Sequence, residues 1–490
     1  MSRRKGIIVI LLLFAGSVLL RLPNLNRPLS KHHEYNTAVI LMNIESWRDG
    51  GGGWRYHYVP LLNYQHPGDK CTADLPQVDA SGNILYLSFG PGWYVIPYFI
   101  YQVFHLPVEA VYLQVINLFF DLAAVLLLFL LCERLFPQGR SRRYESIVMA
   151  CTLFMFSPGV LWYLGNGYVT TGIEMPFVFA ALWVLIPMLQ SPGEIRLGRC
   201  LLLSLLIIVL AYIDWFVLFL SLVTCLWILL RVRKDKRYAP LLFVVAASTL
   251  AAVALPMLQF ASYAGVEKLV LCLKHQFLFR SIANKRASHL RLAGHVVGHI
   301  ASSYLPMLVL LCAAFVLLLL RKIKISMGTG EWIFVVIYTS ALLLYNVIFL
   351  EWSSVHEFAL MPLSLLLAVL TARLTMMAAG PKRFYVVLSA YVIIACLQYY
   401  QINPPGRTAR SGLSYDSYQK LGQQLRNVPA DEKIFMDGSW TVVIDYYAHR
   451  NITTVKSIDS ARAYMQRWGV EKAVWVEQRD YKLEKIVRLP

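Results

Sequence analysis

Apolar residues run in long blocks from Gly6 to Tyr400, separated by short clusters of Arg and Lys. Each block is about 20 residues long, which lets an α-helix cross a hydrocarbon core about 30 Å thick. Inside lipid every backbone N–H and C=O must be satisfied within its own segment, so such blocks are helices. The pattern predicts spans at about 6–22, 110–131, 146–162, 174–190, 197–213, 215–230, 241–260, 303–320, 332–350, 358–376 and 384–400. Two stretches depart from this simple pattern. Residues 200–230 form one apolar run interrupted only by Tyr212-Ile213-Asp214-Trp215. A single helix there would be about 46 Å long at 1.5 Å per residue, too long for the bilayer, so a hairpin with Asp214 at its tip is expected. Residues 86–104 are apolar but contain Phe89-Gly90-Pro91-Gly92 and Pro97, and read as an interfacial or re-entrant helix rich in Tyr and Trp.

Composition agrees with a membrane protein. Of 490 residues 58% are hydrophobic and only 15% charged, and mean hydropathy is +0.54. The net charge of +18 raises the question of nucleic acid. Placing every basic cluster (Arg3 to Lys5, Arg134 to Arg143, Arg196 to Arg199, Arg231 to Arg237, Arg321 to Lys324, Lys382-Arg383) on one side makes that reading unnecessary, because cytoplasmic loops collect Lys and Arg. This topology has about eleven crossings, a cytoplasmic N-terminus and an outer C-terminus, in a plasma or inner membrane. The first span follows Ser2-Arg3-Arg4-Lys5 without a clear small-residue cleavage site, and reads as an uncleaved anchor. Six of the eight cysteines fall in or beside spans. Cys71 and Cys272 fall in outer loops, where a disulfide would fit an oxidising compartment.

The chain divides into a transmembrane domain, 1–402, and a small soluble domain, 403–490. Within the first, residues 23–109 form one large outer loop and 261–302 another. The second loop carries Lys268, Lys274, Arg280, Lys285, Arg286 and Arg291 against one acid, Glu267. After Asn403-Pro404-Pro405-Gly406 the composition turns charged and mixed. Helices are expected over 414–427 and 458–468, with strands at 433–436, 452–455 and 472–476, which suggests an α/β fold with a parallel sheet. No GxGxxG, P-loop or zinc spacing is present, so no cofactor is assigned.

Chemistry is expected on the outer side. Lys31-His32-His33-Glu34-Tyr35 follows the first span and opens a helix, where a carboxylate at the N-terminus can simply cap. Glu174, Asp214 and His356-Glu357 fall at outer ends of other spans. Ionisable groups at membrane depth usually line a cavity or pair with one another. Four from distant parts of the chain on one side point to a shared polar pocket, with the basic loop supplying charge for a lipid phosphate. Anionic headgroups are the plainer partner of that loop.

These residues resemble the GT-C membrane glycosyltransferases: protein O-mannosyltransferases, the lipid A aminoarabinose transferase and the Rgt-like lipopolysaccharide-core enzymes. The likeness lies in the acidic motif His33-Glu34-Tyr35 and the aromatic, proline-bearing Tyr86 to Tyr98. It continues in Ser157-Pro158 through Gly167-Tyr168 to Glu174, and in His356-Glu357-Phe358-Ala359-Leu360-Met361-Pro362. It covers roughly residues 6–375. The chain departs from the family in lacking a second acid beside Glu34, in Phe89-Gly90-Pro91-Gly92-Trp93, and in having Asp214 where several relatives place a basic residue.

The resemblance implies a polytopic GT-C-like bundle that moves a hexosyl or pentosyl unit, with inversion, from a polyprenyl-phosphate donor. The acceptor would be an extracytoplasmic lipid, glycan or protein of the cell envelope. Glu34 would be the base, its proton affinity raised by a half-dry pocket, with His33 orienting it. His32, Tyr35, Glu174, Asp214, Lys285, Arg286, His356 and Glu357 would bind donor or acceptor. The absence of a DxD motif predicts no obligatory divalent metal. A lipid or sugar transporter is the competing reading, opposed by the lack of internal repeats and by the position of these acids at outer ends of spans rather than mid-span. Asn451-Ile452-Thr453 is a glycosylation sequon.

Overall fold

The computed structural model describes residues 1–29, 33–71, 75–136, 142–283, 288–379, 383–404, 416–438 and 441–489. The chain forms two compact units. One comprises Met1–Pro23, Val115–Leu255 and Phe277–Ile402; the other comprises Asn24–Gln114, Pro256–Gln276 and Asn403–Pro490.

Among the described residues, eight helices are long and apolar enough to cross a membrane: Arg3–Asn24, Ala110–Leu135, Thr170–Gln190, Lys236–Ala264, His289–Leu320, Thr329–Ile348, Glu357–Ala378 and Phe384–Ile402. The chain is a multi-pass membrane protein. The hairpin expected over 200–230 is present as two shorter apolar helices, Leu197–Ile213 and Phe216–Val232. Asp214 makes the break: its backbone is extended and its Oδ1 accepts the Phe216 N–H at 3.2 Å, starting the next helix. The span expected over 146–162 is divided into Arg143–Met155 and Pro158–Tyr163. Ser157, extended at ψ 136°, separates them because a residue before proline disfavours the helical region.

Within the first unit, burial separates inner from outer helices. Glu357–Ala378 and Thr170–Gln190 are each buried over 83% of their apolar window, against 22% for Arg3–Asn24 and 17% for Phe384–Ile402. Exposed Leu12, Leu19, Ile393 and Leu397 on the outer helices are where acyl chains take the place of a core. Arg21 and Asp121, both fully buried, pair at 2.6 Å. Removing one partner of such a pair costs about 3–5 kcal/mol, because the other charge is left buried.

The region expected as an outer loop over 261–302 is largely helical: Val266–Arg280 is one helix and His289 already opens the long helix to Leu320. Residues 86–91 are irregular, with a bend at Ser88-Phe89, and the helix that follows is Gly92–Val103. At 12 residues it rises about 18 Å, too short to span.

The second unit joins the first loop to the C-terminal segment. Its sheet has the order β2-β1-β3-β4, with β1 Lys433–Met436, β2 Ile452–Thr454, β3 Ala473–Arg479 and β4 Lys482–Leu489. β1 runs parallel to β2 and β3, whereas β4 is antiparallel, so the sheet is mixed rather than purely parallel. Phe435, Ala461, Met465, Trp475 and Leu489 form its core with the helix Ile458–Trp468. Helix Val442–Ala448 lies on helix Tyr35–Asp49, and helix Asp416–Leu425 backs it. Gly422 is required there, since a Cβ would stand 2.5 Å from Tyr447 Cβ.

Charge and hydrogen bonds lock this docking. Arg450 Nε and Asp69 Oδ1 lie 3.1 Å apart, both buried, and Asp69 also accepts the Asn451 N–H at 3.0 Å. His449 meets Glu45 at 2.7 Å. Gly68 N–H donates to Ala430 at 3.0 Å, an approach a side chain would block because its Cβ would fall 2.5 Å from the Glu432 carbonyl.

Candidate functional site

Glu34 is fully buried in the second unit and directly precedes helix Tyr35–Asp49. Its side chain makes no capping hydrogen bond, so capping does not account for it. Arg27 holds it instead, bidentately: Nη2 donates to Oε1 at 2.6 Å and Nη1 to Oε2 at 3.0 Å. A planar guanidinium fixes both carboxylate oxygens at once, which a lysine could not do. The pocket expected to be half-dry is therefore a charged clamp. Arg27 was missed in the sequence, although it stands only seven positions before Glu34.

Tyr447, from the C-terminal helix Val442–Ala448, accepts the Leu29 N–H at 2.7 Å. Its ring is close enough to Glu34 and Arg27 for both charges to act on the phenol. Burial pushes its pKa up, so it stays neutral. His33 takes a left-handed backbone (φ 57°) and lies 6.0 Å, centroid to centroid, from the Tyr35 ring. His32, Lys285 and Arg286 fall outside the described residues.

The first unit holds a second polar group. Arg280, at the end of helix Val266–Arg280, places Nη1 at 3.2 Å from His356 Nε2 and 3.7 Å from Glu351. Its guanidinium lies 4.8 Å from the Trp352 ring centroid, and Trp352 in turn lies 3.7 Å from the His356 ring. Arginine, imidazole and an indole wall suit an oxyanion with an apolar tail. Glu357 has a different setting: Ser303 Oγ donates to it at 2.7 Å and Tyr163 Oη approaches at 3.4 Å, so it fastens helices together.

Glu174 and Asp214, also in the first unit, come within electrostatic reach of each other. Both are fully buried. Among the described residues, neither oxygen of Glu174 nor Oδ2 of Asp214 has a hydrogen-bond partner. Tyr338 and Tyr345 stand near the pair.

Two sequence expectations end differently. Cys71 and Cys272 are both free thiols, and Cys272 Sγ approaches the Pro76 carbonyl at 3.3 Å. Asn451 of the sequon is tied at both ends, Oδ1 to Tyr64 N–H at 2.7 Å and Nδ2 to the Leu62 carbonyl at 3.1 Å. Its amide nitrogen is engaged in the folded chain.

No family model and no curated protein matches the sequence. Solved structures do. ArnT from Cupriavidus metallidurans, bound to undecaprenyl phosphate, superposes with a TM-score of 0.61 at 12% identity, over 99% of this chain and 97% of that one. The chain shares the fold of that protein. The archaeal oligosaccharyltransferase AglB from Archaeoglobus fulgidus, in complex with an inhibitory peptide and a dolichol-phosphate, gives 0.53 at 14% identity, over 97% and 70%. The Archaeoglobus fulgidus oligosaccharyltransferase tethered to an acceptor peptide gives 0.55 at 12%, over 97% and 69%. The likeness of fold thus includes the C-terminal region, beyond the 6–375 over which the sequence resembles the GT-C family.

Proposed function

We propose that this GT-C chain is a glycosyltransferase that moves a sugar, with inversion, from a polyprenyl-phosphate donor to an extracytoplasmic acceptor. The observation that carries it is the fully buried Glu34 carboxylate clamped by Arg27, on a fold whose solved members include proteins bound to undecaprenyl phosphate and dolichol-phosphate.

An ionised carboxylate can accept about four hydrogen bonds. Arg27 uses one on each oxygen, and the carboxylate takes the acceptor's hydroxyl proton. As that proton moves to Glu34, the acceptor oxygen bonds to the sugar's anomeric carbon. The bond from that carbon to the phosphate oxygen breaks, and polyprenyl phosphate departs with the electron pair. Arg280 and His356, in the first unit, suit the donor's phosphate. Glu174 and Asp214 offer carboxylate acceptors to sugar hydroxyls. His33, His32 and Tyr35 border the acceptor, and Lys285 and Arg286 add attraction for the donor.

The test incubates purified protein with a panel of polyprenyl-phosphate hexoses and pentoses and measures release of polyprenyl phosphate. Release with at least one donor is expected, and Glu34→Gln should lower it by about 10²–10⁴-fold, the usual effect of losing a general base. Near-normal turnover in Glu34→Gln would remove Glu34 from the chemistry.

A further inference from the structure

A cavity of about 330 Å³ lies in the first unit, lined by Arg3, Leu130, Glu133, Arg134, Arg143 and Trp183. Four elements build it: the start of helix Arg3–Arg21, the last turns of Ala110–Leu135, the start of Arg143–Met155, and helix Thr170–Gln190. Nothing in the proposed transfer uses it.

Its charge is unbalanced. The single acid, Glu133, is taken by Arg3, whose Nε and Nη2 donate to its two oxygens at 2.8 and 3.2 Å. Arg143 turns Nη2 to the Glu133 backbone carbonyl, while its buried Nε has no hydrogen-bond partner among the described residues. Arg134 has no ion-pair partner among the described residues and lies 5.5 Å from the Trp183 ring centroid. Among the described residues, two guanidinium groups therefore line the cavity without a counter-charge.

The remaining lining is apolar: Leu130 and the indole of Trp183. Along helix Arg3–Arg21 from Arg3, exposed Ile8, Leu11 and Leu12 present a hydrocarbon surface. A basic mouth above an apolar wall fits a phosphate whose substituent continues as an acyl chain. Basic pockets between transmembrane helices on the cytoplasmic side bind acidic lipid headgroups, and a volume near 300 Å³ is enough for a small ligand. We propose that this cavity binds the phosphodiester headgroup of an anionic glycerophospholipid. A free phosphate shares the oxyanion but gains nothing from Leu130 and Trp183.

The experiment follows thermal unfolding of the full-length protein in neutral detergent. Dioleoylphosphatidylglycerol, dioleoylphosphatidylcholine or inorganic phosphate is titrated in. A ligand that binds only the folded state raises the midpoint with concentration. The phosphatidylglycerol titration should raise it, and the other two should not. Arg134→Gln, an exposed position without an ion pair, should move that titration to about tenfold higher lipid, as expected for one charge-assisted contact. Trp183→Leu, which keeps the wall apolar but removes the indole, should have a smaller effect. An equal response to phosphatidylcholine, a response to phosphate alone, or an unchanged titration in Arg134→Gln would each overturn the proposal.

Discussion

The hydroxyl of Tyr447 accepts the Leu29 backbone N–H at 2.7 Å, joining residues 418 positions apart. Leu29 is fully buried and lies two residues after Arg27, the partner of Glu34. The C-terminal segment thus holds the backbone from which the Arg27 clamp is hung. Tyr447→Phe keeps the ring and leaves a buried N–H without its acceptor. Turnover should fall about tenfold with donor affinity unchanged, because a shift of the clamp misplaces the base and not the phosphate site. Since Tyr447 stays neutral, the loss should be the same across the working pH range. Equal turnover in wild type and Tyr447→Phe, with Glu34→Gln inactive, would confine Tyr447 to packing.

Arg280→Gln addresses the phosphate. Removing a guanidinium that contacts His356 and Trp352 should raise the donor KM about tenfold and lower kcat less. Arg280 is partly exposed, with 23% of its side chain accessible, so the difference from wild type should shrink as salt is added. A KM that does not move would take Arg280 away from the donor.

Glu174→Gln should make the protein more stable and a poorer enzyme. Glu174 is fully buried with neither carboxyl oxygen hydrogen-bonded among the described residues, and the amide keeps its shape while removing the cost of an acid there. The unfolding midpoint should rise by about 2–4 °C for each kcal/mol relieved, while donor KM increases. A fall in the midpoint would mean that Glu174 holds the bundle together.

Lys433, at the start of β1, gives a dependence on pH. Burial lowers its pKa, against a smaller opposing effect of Asp69. Its ammonium has only distant partners, the Gly68 and Lys70 carbonyls at 3.5 and 3.4 Å. A depressed folded pKa contributes stability that is present above the unfolded value and lost as pH falls through the folded one. At neutral pH Lys433 therefore weakens the fold, and Lys433→Met should raise the unfolding midpoint more at pH 7 than at pH 10. A gain that grows with pH would reverse this sign.

The membrane helices were legible because lipid demands unbroken apolarity, and one Asp in a long apolar run marks a hairpin by itself. Other elements lacked such a signal. β4 is an edge strand, Lys-Leu-Glu-Lys-Ile-Val-Arg-Leu, with mostly exposed positions that read as polar tail. Helix Val442–Ala448 has seven residues, too few to show a helical period. At the candidate site, Glu34 stood out as a carboxylate in an unusual place. Its partners did not, because pairing of Arg280 with His356, or of Asp69 with Arg450, spans 76 and 381 positions. No local pattern encodes contacts of that length. The Glu174–Asp214 meeting was expected from their shared side of the membrane alone.

The buried Asp69–Arg450 pair also sets an order of events at the ribosome. Asp69 emerges early, and residues 115–402 must be made before the segment carrying Arg450 begins. At about 5–20 residues per second that interval is roughly 15–60 s. Throughout it the first loop carries a carboxylate destined for burial and lacks the helix Val442–Ala448 that covers helix Tyr35–Asp49. A nascent chain is therefore most open to proteases and holding chaperones at its first loop. A truncation just before residue 403 would leave it so permanently.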